Sequence, residues 1–91
     1  MKYLPYARQQ YRKELDKGID EVIEKLKASP LEKIDANLNY VIFKILRRIY
    51  KMDYFDLNRA MGALETCKIE FYRRVIAPYE DGKMIEHGDV E

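Results

Sequence analysis

The chain has 91 residues with 17 basic and 16 acidic side chains, for a net charge of +1 at neutral pH. This length suits a single domain over residues 1–91 with a modest core, and the near balance of charge argues against a dedicated nucleic-acid or membrane-surface protein. The single cysteine excludes an intrachain disulfide, and no apolar N-terminal run resembles a signal peptide or a membrane span. We therefore expect a cytoplasmic protein that contacts no membrane.

The first predicted helix covers Tyr11 to Leu26. Its apolar side chains fall in one stripe about 120° wide, and the opposite side is polar or charged. These side chains are Tyr11, Leu15, Ile19, Val22, Ile23 and Leu26. The pattern predicts a helix with one buried face.

The sequence Ser29-Pro30-Leu31-Glu32 predicts the start of a second helix. Ser29 can cap the first turn, Pro30 suits the first helical position, and Glu32 can reach back to the Ser29 amide, as in a capping box. This helix should begin at Pro30 and run to about Lys51. Its apolar residues spread over roughly 200° of the helix surface.

Asp53 is positioned to cap a third helix that should cover about Tyr54 to Ala77. Pro78 should kink or end this helix, because the proline ring removes one hydrogen bond and clashes with the preceding turn. A short fourth helix should start at Pro78 and stop at Gly88, since proline at the start and glycine at the end follow the usual helix asymmetry.

The apolar faces of the second and third helices exceed what three helices in a monomer can cover. Either the fourth segment folds across the open side, or two copies pack these helices together. We expect mainly the second arrangement. The predicted fold is therefore all-α, a three-helix bundle-like domain with a short C-terminal helical tail, in which helices two and three form a homodimer interface.

Polar side chains fall inside these apolar faces. Lys68 lies near the centre of the third helix's apolar face, with Glu65 three residues before it and Tyr72 four residues after it. Asn39 has a similar place on the second helix, and Arg73 follows Tyr72. An ammonium group in such surroundings must be paired, reach the surface or lose its proton. The five residues form either a polar pocket that binds a ligand or a structural network that fixes the register of a dimer.

Basic side chains interleaved with tyrosines suggest a nucleic-acid surface that binds phosphates with cations and bases with rings. The cations are Arg47, Arg48, Lys51, Arg73 and Arg74, and the rings are Tyr50, Tyr54 and Tyr72. The competing interpretation is an anchor for the acidic C-terminal tail, in which Arg73 and Arg74 hold Glu80, Asp81 and Glu86. We favour the anchor over a nucleic-acid partner, because the net charge is near zero and no recognition-helix motif occurs.

Two carboxylate pairs support an alternative, enzymatic interpretation. Glu21-x-x-Glu24 and Glu86-x-x-Asp89 resemble the paired motifs with which all-α nucleotide pyrophosphohydrolases of the MazG type hold Mg²⁺. About sixty residues separate the pairs here, whereas that family uses a short helical hairpin. Asp89 also lies two residues from the end of the chain. We therefore expect no metal site, no other cofactor and no catalytic residues.

Three segments resemble a known family: NLNYVIFKIL (residues 37–46), GALETCKIEFYRRVIAPYE (62–80) and KMIEHGDV (83–90). Over about residues 8–90 the chain is similar to a family of short, uncharacterised proteins of bacteria and phages, described as a domain of unknown function. Its members share a motif like Leu-Glu-x-x-Lys-x-Glu-x-Tyr-Arg-Arg-x-x-x-Pro-Tyr-Glu-x-x-Lys. This chain differs at Ala36, Lys44 and His87, where glycine, threonine and asparagine are usual.

The resemblance implies no activity, but it emphasises positions that overlap the polar residues of the helices. They are Asn37, Asn39, Tyr40, Glu65, Lys68, Glu70, Tyr72, Arg73, Arg74, Pro78, Tyr79, Glu80, Gly88 and Asp89. We predict a small, non-catalytic interaction or regulatory protein that forms a homodimer and binds an unidentified small molecule in the polar pocket. The alternatives are a metal-dependent nucleotide pyrophosphohydrolase and a nucleic-acid-binding protein.

Overall fold

The computed structural model describes residues 9–89, and over that range every regular element is helical. This confirms the predicted all-α class. The described residues fall into two compact units, 9–52 and 53–89. Within this part of the chain, no helix is long and apolar enough to cross a membrane.

The first unit is a helical hairpin. Helix α1 spans Gln9–Lys27, a 3₁₀ turn covers Leu31–Lys33, and helix α2 spans Ile34–Ile49. Helices α1 and α2 contact each other. Both lie where the apolar periodicity predicts them, so the pattern of side chains identified the two helices correctly.

On α1, packing is closest near the connection to α2. Leu26 at the end of α1 and Ile34 at the start of α2 are half-buried. Tyr11 and Leu15, at the other end of α1, stay 52% and 54% exposed. The buried face predicted for α1 is therefore only partly covered, because α2 reaches a limited part of it.

The connection between α1 and α2 differs from the predicted capping box. Pro30 precedes the 3₁₀ turn and no side chain caps it, and α2 itself begins at Ile34 rather than at Pro30. The Ser29 hydroxyl accepts a hydrogen bond from Asn37 Nδ2 at 2.9 Å and donates one to the Lys25 carbonyl at 3.4 Å. The predicted box is wrong because an amide eight residues away engages the serine, a contact that spacing within one turn does not show.

The second unit is one continuous helical run. Helix α3 spans Tyr54–Phe71, a π turn covers Tyr72–Ile76, and helix α4 spans Ala77–His87. Asp53 caps α3 as predicted, since its Oδ1 accepts a hydrogen bond from the Asp56 amide at 2.8 Å.

Pro78 does not end the helix, so of the two predicted effects, a kink or an end, the end is wrong. In the π turn just before it, the Ala77 amide donates to the Tyr72 carbonyl five residues back, instead of four. The wider turn makes room for the proline ring, which would otherwise press on the carbonyl four residues before it. Gly88 then ends α4, as predicted, with φ +87° and ψ 155°, a conformation that essentially only glycine adopts.

The described residues contain almost no buried core. Ala60, at 6% exposure, is the one buried residue among them. Large apolar side chains stay exposed in both units, for example Leu38 and Ile45 on α2 and Leu57 and Phe71 on α3. The apolar faces predicted from the sequence are therefore present, but each unit by itself leaves much of them uncovered.

Candidate functional site

Lys68 and Glu65 lie one turn apart on α3 and form an ion pair, with Nζ 3.5 Å from Oε1. Both side chains are mostly exposed, at 76% and 59%. The sequence places Lys68 within a covered apolar face, whereas here it lies on an uncovered one because nothing in its unit packs against that side. An exposed pair of this kind stabilises a helix by only about 0.3–0.5 kcal/mol.

Arg73 and Arg74 both bind Glu70, at the junction between α3 and the π turn. Arg73 Nη2 lies 2.9 Å from Glu70 Oε1 and 3.2 Å from Oε2, and Arg74 Nε lies 2.6 Å from Oε2. The Glu70 side chain is only 20% exposed. One carboxylate thus draws two guanidinium groups together, in charge-assisted hydrogen bonds that are stronger than neutral ones.

Tyr72 lies at the start of the π turn and reaches across it. Its hydroxyl donates a hydrogen bond to Glu80 Oε1 at 3.2 Å. This bond and the negative charge of Glu80, with smaller contributions from desolvation and from Asp81, raise the pKa of Tyr72 above its ordinary value. The acidic tail is therefore linked to Tyr72, a contact that sequence reasoning did not identify.

The predicted tail anchor takes a different form in the structure. Arg73 and Arg74 have a nearer partner in Glu70, and Glu86 pairs with Lys83 at 3.4 Å. Because the chain stays helical through this region, Glu86 lies about 18 Å along the helix from Arg74. The structure therefore brings Glu80 to Tyr72 but does not bring Glu86 to the arginines.

Asn39 belongs to the first unit, where it is an exposed residue of α2. The other four members of the predicted pocket, Glu65, Lys68, Tyr72 and Arg73, lie on the second unit. Among these four, the contact that forms is the ion pair of Lys68 with Glu65. The pocket as a set of five remains a prediction.

A second group of side chains stands out on α2. A shallow, open depression of about 370 Å³ is lined by Tyr40, Phe43, Lys44, Arg47 and Arg48. Arg47 and Arg48 were part of the basic patch predicted from the sequence, whereas the other three were not. Helical spacing could have identified them, since all five fall within about 140° of the helix surface.

Three of the four carboxylates of the alternative metal site, Glu21, Glu24 and Glu86, have lysine partners nearby in sequence. Glu21 pairs with Lys25 at 3.4 Å and Glu24 pairs with Lys27 at 3.9 Å. Among residues 9–89, no group of three or more histidine, cysteine, aspartate or glutamate side chains is arranged to hold a metal ion. Glu21 and Glu24 belong to the first unit and Glu86 and Asp89 to the second, so the alternative metal site made of all four stays a prediction.

A family model for a domain of unknown function, DUF6899, matches residues 4–90 of the chain. The chain belongs to the DUF6899 family. No curated protein and no solved structure matches it. Membership in DUF6899 confirms the resemblance to a domain of unknown function, and it assigns no substrate, cofactor or partner. The function of this DUF6899 chain must therefore be argued from its own side chains.

Proposed function

We propose that this DUF6899 chain is a small, non-catalytic interaction protein that forms its core by pairing with a second copy, through the apolar faces of α2 and α3. The observation that supports this proposal is the exposure of large apolar side chains on both units of the described chain. Proteins this small bury a modest fraction of their surface alone, and association with a second copy adds burial.

On α2, much of the apolar face stays open. Val41 and Leu46 are half-buried. The exposed members of the face are Leu38, Ile42, Ile45 and Ile49, at 43%, 36%, 49% and 65%. Fully burying an aliphatic side chain stabilises a protein by about 1.5–3 kcal/mol. Covering the exposed part of each of these four would contribute roughly 1 kcal/mol apiece toward association.

Helix α3 belongs to a single helical run, and among the described residues of its unit no second helix packs beside it. Leu57, Met61, Ile69 and Phe71 are all exposed there. A second copy supplies matching apolar faces on its own α2 and α3, so a two-fold arrangement would cover both kinds of face at once. This supports a homodimer organised as one bundle-like domain per chain.

The predicted polar pocket would lie close to the proposed interface between the two copies. By helical spacing, Lys68 lies on the same stripe of α3 as Leu57 and Met61, and Tyr72 follows on this stripe directly after α3 ends. Pairing through that stripe would bring Glu65 and Lys68 close to the interface. We propose that Asn39, Glu65, Lys68, Tyr72 and Arg73 line a ligand pocket that exists in the assembled protein.

The test is a matched pair of substitutions. Ile45→Glu places a charge on the open face of α2, and Ile85→Glu places the same charge on α4, where the isoleucine is 87% exposed. We expect Ile45→Glu to halve the mass measured by light scattering, because burying an unpaired carboxylate is costly, and Ile85→Glu to leave the mass unchanged. Equal masses for the two variants and the parent chain would overturn the proposed interface.

A further inference from the structure

Helix α2 has a second face, opposite to the one proposed for self-association. Tyr40, Phe43, Lys44, Arg47 and Arg48 line its shallow depression, and we call these five residues the basic face. Ile42 and Ile45 lie on the other side of the same helix, by helical spacing. A ligand on the basic face would therefore not compete with a partner on the apolar face.

The basic face carries positive charge without acidic neighbours. Residues 36–52 contain four basic side chains and no aspartate or glutamate. Within residues 9–89, the structure gives no ion pair to Lys44, Arg47 or Arg48, whereas Lys25, Lys27 and most other paired cations bind a carboxylate three or four residues away. The local charge is therefore available to an anion, although the net charge of the whole chain is near zero.

Two aromatic rings lie among these cations. Tyr40 and Phe43 are 60% and 61% exposed. The Lys44 ammonium lies 5.7 Å from the centre of the Tyr40 ring, and Arg47 Nη1 contacts Met52 Sδ at 3.4 Å. The rings are thus flanked by cations and are open to solvent on the surface of the hairpin.

We propose that the basic face binds single-stranded nucleic acid, with backbone phosphates on Lys44, Arg47 and Arg48 and bases stacked on Tyr40 and Phe43. Exposed rings between cations are the combination that single-strand binding uses, because every base has a face that can stack. An acidic peptide would engage the cations, but only its occasional aromatic side chains could stack on the rings, whereas every nucleotide carries a base that can stack. In a duplex the faces of the bases are already stacked on one another, so the phosphates and the groove edges of the bases are accessible but the faces are not.

The experiment measures fluorescence anisotropy of a labelled oligothymidylate of about 20 nucleotides, at several salt concentrations. With three phosphate contacts, the slope of log K against log salt should be about −2, which is roughly a twentyfold loss of affinity between 50 and 200 mM salt. A duplex of the same length should bind more weakly. A peptide of residues 78–91 should compete poorly.

Two double substitutions separate stacking from charge. Tyr40→Ala with Phe43→Ala should weaken binding at least about fivefold, whereas the matched control Tyr79→Ala with Phe55→Ala should not. Lys44→Gln with Arg48→Gln should reduce the magnitude of the salt slope by about 1.4. Its control, Lys13→Gln with Lys17→Gln, removes the same charge from the polar side of α1 and should leave the slope unchanged.

Three results would overturn the proposal. They are no binding at 50 mM salt, equal affinity for single strand and duplex, or equal loss in the aromatic variant and its control. Tighter binding of the acidic peptide than of the oligonucleotide would instead assign the basic face to a protein partner. The mass of every variant is measured in parallel by light scattering. Loss of self-association is therefore distinguished from loss of nucleic-acid binding.

Discussion

Glu70 is the residue that organises the end of α3. It binds Arg73 and Arg74 with three hydrogen bonds while its own side chain is mostly covered. Both arginines are therefore directed toward α3. Glu70 partly neutralises the positive charge that the sequence pattern had predicted to bind the acidic tail. Tyr72 is the residue that contacts the tail instead.

The sequence predicted single residues well where the interaction is local and poorly where two partners compete. Asp53 was identified as a cap because it needs only an amide three residues away. Ser29 was misassigned because Asn37, eight residues later, donates a hydrogen bond to its hydroxyl. Glu70 was overlooked as the partner of the arginines, although it lies three and four residues before them, because only Glu80, Asp81 and Glu86 of the tail were considered.

The bond between Tyr72 and Glu80 predicts a pH dependence. Because it raises the pKa of Tyr72, its stabilising contribution is fully present below the ordinary tyrosine pKa of about 10 and is lost as pH rises through the higher folded value. Ultraviolet titration of the parent chain minus that of Tyr72→Phe isolates this hydroxyl. Glu80→Gln should lower its pKa, whereas Glu86→Gln should leave it unchanged. An unchanged midpoint in Glu80→Gln would contradict the contact.

At the scale of elements, the π turn aligns the two partners of that bond. An α turn takes about 3.6 residues and a π turn about one residue more, so eight residues that include one of each make roughly two turns. Glu80 therefore lies above Tyr72 on one side of the helix. In a regular α-helix, residues eight apart differ by about 80°.

This geometry predicts that Pro78 affects the pKa of Tyr72, six positions before it. Pro78→Ala removes the ring that the π turn accommodates, so we expect the turn to become regular α-helix and Glu80 to rotate away from Tyr72. The pKa of Tyr72 should then fall toward about 10, with helix content by circular dichroism retained. A Tyr72 pKa as high as in the parent chain would show that the π turn forms without the proline.

Helix positions could be predicted from periodicity, because apolar spacing and terminal residues are properties of a local stretch. The continuation of the helix through Pro78 could not be predicted in this way, because it depends on an i to i+5 hydrogen bond that has no pattern in the sequence. The basic face was half predicted. Its arginines were recognised as part of a charge cluster, but Tyr40, Phe43 and Lys44 were not included in that cluster.

At the scale of the whole molecule, the dominant feature is the solvent exposure of the apolar side chains. Among the described residues only Ala60 is buried, although the sequence carries apolar faces on every long helix. The sequence predicted these faces and predicted that one chain would not cover them. The sequence also predicted that the faces of the second and third helices pair between two copies, and this stays a prediction.

The central claim is that the DUF6899 chain self-associates to cover its apolar faces. Light scattering coupled to size-exclusion chromatography measures this directly, over a dilution series in the micromolar range. We predict a mass of at least twice the 10.9 kDa of one chain, decreasing on dilution by mass action if the affinity is modest. A folded species of 10.9 kDa at every concentration would contradict the claim.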